Sequence, residues 1–205
     1  MTIAVLLILA CFGIAFAFSL SGFFERFSSA TLFGVGSVLS AGGFASLYAI
    51  SKSFRLFLRA RNIRRLTLGQ TLRFYGLLAF FEAYRQVLPA IFAVPTGALD
   101  TFFAVTSLFV ARRWVTADGK PRPGFIAWHI AGLGALGISA VLAILTSPTR
   151  FGLLQDGRSS QAMTRFPISL VPVFIGPMVL IFHLLALAAV WHTRRARKDP
   201  RQTTG

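Results

Sequence analysis

Six stretches of roughly twenty residues, almost free of charge, decide what this chain can fold into. They fall at about 3–24, 30–50, 70–91, 96–113, 124–145 and 168–191. An α-helix rises about 1.5 Å per residue, so each stretch is about as long as a hydrocarbon core is thick. Lipid offers no hydrogen bonds, so such a stretch must satisfy its own backbone as a helix or pair as a barrel strand. Barrel strands alternate polar and apolar residues over about ten positions, and these stretches do not. The expected fold is therefore all-α: a polytopic membrane bundle of six transmembrane helices forming one domain over 1–193, then a basic tail over 194–205.

Charge sets the orientation. Lys and Arg total 21 against six Asp and Glu, a net charge of +15. In a soluble protein this excess would suggest nucleic acid. Here fifteen of the basic residues sit after the second block, from Arg112 at the end of the fourth onward to Arg122, or in the tail, and four (Arg26, Arg150, Arg158, Arg165) sit on the other side. Cytoplasmic loops carry such an excess, so both termini are expected in the cytoplasm, with anionic lipid headgroups as the partner rather than nucleic acid. The lone Cys11 can form neither an internal disulfide nor a multi-cysteine metal site.

Ala15-Phe16-Ala17 resembles a signal-peptide cleavage site, but no Lys or Arg precedes the apolar run. The run is also long for a signal sequence, so a retained first helix is expected. The second block carries Gly34, Gly36, Ser37, Ser40, Gly42 and Gly43, as a closely packed interior helix would. Between 51 and 69, arginines alternate with Phe, Leu and Ile. Such a segment lies along the interface, with Arg55, Arg59, Arg64 and Arg65 reaching headgroups. Arg73, near the start of the third block, is expected to snorkel to the same layer. Pro89, Pro95 and Gly97 mark a tight connection. Pro172 and Gly176-Pro177 interrupt the sixth block and predict a kink.

Ionisable groups at membrane depth need partners or water. Counted from the expected outer turn, Arg85 lies roughly 9 Å and Asp100 roughly 6 Å inside, on adjacent helices, with Glu82 one turn from Arg85. A Glu82–Arg85–Asp100 cluster follows, either as an ionic staple between two helices or as a polar site for a proton or small solute. His129 and His183 lie roughly 8 and 12 Å from the opposite face on consecutive antiparallel helices. Facing imidazoles can ligate haem iron, although a lone helical histidine more often bonds a neighbouring helix. No G-x-S-x-G, H-E-x-x-H, Walker loop or cysteine pair occurs.

From Arg73 onward the chain resembles a family of uncharacterised bacterial membrane proteins. The matching stretches are Leu88-Pro89, Ala93 to Gly97, Asp100, Ala127-Trp128, Leu145 to Pro148, and Pro167 to Leu184 with Val171-Pro172-Val173-Phe174 and His183. The family pattern has Gly before the aspartate and Asn after the tryptophan, where this chain has Leu99 and His129. The resemblance implies a multi-pass protein of the bacterial inner membrane and no particular chemistry. Three functional classes follow: a non-enzymatic structural or accessory bundle, acting as a homo-oligomer or with a membrane partner and needing no cofactor; a small transporter or channel; or a haem-bearing redox protein using His129 and His183.

Overall fold

The computed structural model describes residues 2–59, 62–116, 120–155 and 157–198. They fold into eight α-helices: α1 (Thr2–Leu20), α2 (Ser29–Ile50), α3 (Lys52–Arg59), α4 (Ile63–Leu68), α5 (Gly76–Tyr84), α6 (Ala90–Arg113), α7 (Phe125–Leu145) and α8 (Gly176–Lys198). Among the described residues the only β pairing is an isolated bridge, Val115 with Pro121. Among the described residues, four helical segments are long and apolar enough to cross a membrane: Ser29–Ile50, Ala90–Arg113, Phe125–Leu145 and Val171–Trp191. The tail beyond residue 198 lies outside the described residues, as do the side chains of Arg59 and of the tail residues 194–198.

The third apolar block folds differently from a plain α-helix over 70–91. Helix α4 passes into a 3₁₀ segment, Gly69–Tyr75, which passes into α5. The backbone stays right-handed helical at the junctions, at Leu68, Gly69, Tyr75 and Gly76. At about 1.5 Å per α residue and about 2.0 Å per 3₁₀ residue, the run from Ile63 to Tyr84 is roughly 36 Å long. Three residues per turn places every third side chain on one edge. Thr67, Gln70, Arg73 and Gly76 form that edge, and all four are buried. Because the run starts at Ile63, Arg73 falls at its middle, not near its end. This corrects the snorkelling reading of Arg73.

The connection to α6 also moves. Helix α5 ends at a turn in which Gln86 has φ 59, and Pro89 is the residue before α6. Pro95 and Gly97 lie inside α6 rather than in the connection. The prolines of the sixth block do interrupt it: Val171–Ile175 is a π-helical stretch that runs into α8 at Gly176. Proline removes a backbone donor, and one wide turn absorbs the mismatch.

Two apolar clusters organise the interior. One gathers Leu66, Phe103, Val110, Phe125, Trp128 and Val190 from α4, α6, α7 and α8. The other gathers Leu88, Phe92, Ala143, Met163, Ile168 and Val171. The loop between α7 and α8 covers the second cluster, pinned by Ser160 Oγ to the Ala143 carbonyl (2.7 Å) and to Ser29 Oγ (2.8 Å). Helix α2, expected as a packed interior helix, buries only Ser29 and Leu32. Gly36 alone among its glycines makes a close approach: a Cβ there would stand 2.7 Å from the Pro172 carbonyl, whereas Gly34, Gly42 and Gly43 face open space.

Candidate functional site

At the centre of the bundle, Arg73 and Asp100 are both wholly buried. Arg73 Nε donates to Asp100 Oδ1 at 2.8 Å, and Nη2 stands 2.7 Å from the same oxygen. Glycine lets the two helices meet. A Cβ at Gly76 would lie 2.6 Å from Asp100 Cβ, and one at Gly97 would lie 2.8 Å from the Gly76 carbonyl. The Arg73 guanidinium also covers the Phe103 ring at 4.7 Å from its centroid, an attraction strengthened away from water.

Arg73 then reaches two more helices. Its Nη1 donates to the Gly132 carbonyl on α7 at 3.3 Å and faces His183 Nε2 on α8 at 3.4 Å. His183 Nδ1 is 2.8 Å from His129 Nδ1, and His129 Nε2 is 3.4 Å from Thr67 Oγ1. Thr67 Oγ1 in turn donates to the Ile63 carbonyl at 2.8 Å. A guanidinium can only donate, and this fixes the protons along the whole chain. His183 Nε2 must accept, so its proton sits on Nδ1 and is donated to His129 Nδ1. His129 therefore carries its proton on Nε2, directed at Thr67. Both imidazoles are neutral, and hydrogen bonds run one way from Arg73 to the Ile63 carbonyl. Gly132 makes room for this arrangement, since a Cβ there would stand 2.3 Å from the His183 ring.

The histidines thus meet as the sequence suggests, but in direct contact. Nitrogens on opposite sides of one metal, each about 2.0 Å from it, would stand about 4 Å apart. The pair at 2.8 Å does not fit a haem between the rings.

The Glu82–Arg85–Asp100 cluster is divided. Asp100 pairs with Arg73, while Arg85 stands 3.9 Å from Glu82 with its own side chain 57% exposed. Two arginines expected at headgroups serve helix ends instead. Arg55 Nη1 donates to the Tyr48 and Ala49 carbonyls at the end of α2, at 2.7 and 2.8 Å. Arg64 reaches the Ala111 and Val115 carbonyls at and beyond the end of α6, at 2.8 and 3.3 Å. Terminal carbonyls lack helical donors, so these bonds replace water. Arg65 is exposed.

Beside the network lies a cavity of about 300 Å³, bounded by α2, α5, α6, α7 and the π-helical stretch. Its wall is mainly apolar, with Phe33, Phe92 and Met163, and includes Tyr75, Glu82 and Thr96. Glu82 is 9% exposed, and Thr96 Oγ1 is buried without a hydrogen-bond partner among the described residues. Thr67, Gln70 and the cavity were missed in the sequence, and Arg73 was given to headgroups instead of Asp100. The available signal was Thr67, Gln70, Arg73 and Gly76 at a strict spacing of three.

Fold and site together define an all-helical bundle with four helices of membrane-spanning length, centred on a buried Arg–Asp–His–His network. The model of the family described as Domain of unknown function (DUF8737) matches residues 30–191, and the chain belongs to that family. The match extends well ahead of Arg73, through α2. No curated protein matches the chain, and no solved structure does.

Proposed function

We propose that this is a multi-pass protein of the bacterial inner membrane, with six spans and both termini cytoplasmic, acting as a non-enzymatic structural or accessory bundle. Four apolar helices of sufficient length support the membrane setting, as does the roughly 36 Å helical run of the third block. Helix α1, apolar over Ile8–Leu20, supplies the sixth span. Exposed basic residues, Arg65 among them, then meet anionic headgroups.

One observation carries the structural reading: the Arg73–Asp100 pair is wholly buried, and Arg73 also binds α7 and α8. An arginine does not give up its proton, so it interrupts any proton relay drawn through the histidines to Asp100. It serves well as a fixed tie between helices. Removing one member of a buried pair leaves an unmet charge and costs about 3–5 kcal/mol, whereas replacing both with apolar residues is often neutral. Arg73→Met alone should therefore lose about 3–5 kcal/mol in unfolding from detergent micelles, and Arg73→Met with Asp100→Leu should regain most of it. A double variant no more stable than the single one would sink the staple.

A small transporter is the second reading, favoured by the cavity and the π-helical break in its wall, since broken helices commonly line solute sites. Solute flux in proteoliposomes that falls with Glu82→Gln, at unchanged stability, would support it over the first.

A further inference from the structure

We infer that the cavity beside the network is a binding site for an amphiphilic cation, a medium-chain alkyl amine by chemical class, with Glu82 as its anionic anchor. This goes beyond the staple reading and does not depend on it.

The two carboxylates facing the bundle interior are treated differently. Asp100 is neutralised by a buried arginine that does not itself line the cavity. Glu82 is itself nearly buried and lines the cavity, yet the ion pair it makes is to Arg85, 3.9 Å away and 57% exposed. That guanidinium also lies 5.5 Å from the Phe81 ring centroid. A pair of this length with one partner exposed contributes little, so the Glu82 carboxyl lies in an apolar wall with its ion-pair partner outside the cavity.

The rest of the cavity is what an alkyl chain requires. Phe33, Leu88, Phe92, Met163 and Leu180 present apolar surface, and about 300 Å³ holds about ten water-sized groups. An apolar body with one charged head therefore fits both the volume and the charge. A plain acyl chain would leave Glu82 unmet, and a fatty acid would bring two carboxylates together. Gly137 gives an independent handle on the site. It lines the cavity, and a Cβ added there meets nothing within 4 Å.

The test is equilibrium dialysis of decylamine, decanol and decanoate against the full chain in nanodiscs of neutral phospholipid, with empty nanodiscs as blank. Saturable one-to-one binding of decylamine is expected, with decanoate not binding above the blank. Glu82→Gln should weaken decylamine at least about tenfold and leave decanol unchanged. Arg85→Gln should tighten decylamine by removing a competing cation. Gly137→Leu should abolish binding by filling the space, at an unaltered melting profile. Equal binding of all three probes would assign the cavity to lipid chains and overturn the inference. Equal binding of decylamine to wild type and Glu82→Gln would also overturn it, and that comparison stands even if the Gly137 variant unfolds. Neither result would touch the Arg73–Asp100 staple, whose test is unfolding.

Discussion

Helices α2 and α6 are alike in sequence and unlike in place. Their apolar eighteen-residue stretches have mean hydropathies of 1.5 and 1.4, yet α2 buries two residues and α6 buries ten. The difference lies in what each helix offers besides grease. Helix α6 carries Asp100 at its middle, with Gly97 one turn away to admit α5. Helix α2 carries no charge, and three of its four glycines in the apolar stretch face open space. In a setting where apolar surface gives no preference between lipid and protein, association follows close packing and buried hydrogen bonds. Polar and small residues place a helix. Apolar ones merely permit it to be there.

Alanine substitutions in the polar centre, at the loop that holds α2 and on α2 itself should separate these roles. Gly132→Ala drives a methyl into the His183 ring, and overpacking of this kind costs about 1–3 kcal/mol. Thermal unfolding in detergent should show that loss, and an unchanged midpoint would mean that the histidine pair can move freely. Ser160→Ala removes the hydroxyl bonds to Ser29 Oγ and the Ala143 carbonyl and leaves the Ser29 N–H bond to Gln161 in place. A loss of about 1 kcal/mol is expected, together with faster amide exchange confined to α2. Exchange rising equally in α6 would dissolve the distinction between the regions. Smallest of all, Gly42→Ala meets nothing within 4 Å and should change stability by less than about 1 kcal/mol, toward greater stability given alanine's helix propensity. A clear loss there would show that α2 has a partner face.

Much of the fold could be read from the chain because apolar length and basic flanks are one-dimensional properties. Blocks at 30–50, 124–145 and 168–191 match helical segments that begin or end within a few residues of them. Pro172 and Pro177 mark the break where the π-helical stretch lies. What the sequence hid was pitch. Arg73 was assigned to headgroups because the block was begun at 70, and at 3.6 residues per turn it does not share a face with Thr67. At three per turn they align, and Arg73 takes the partner that had been given to Arg85. The small residues of α2 misled for a related reason. A glycine reports that a close approach is allowed, and only the neighbouring element decides whether one occurs, as at Gly36 with Pro172. His129 and His183 were legible as a facing pair, but the proton order between them needs Arg73 in place.

The 3₁₀ segment makes the third block a stretched screw. Seven residues, Gly69–Tyr75, advance about 0.5 Å further each than they would in an α-helix and turn about 20° more. Rewinding them would draw the two flanking helices together by about 3.5 Å and rotate one against the other by about 140°. Arg73 would leave Asp100, and Glu82 would swing away from the cavity wall in the same movement. The grip on the arginine and the placement of the glutamate are therefore two readings of a single winding number.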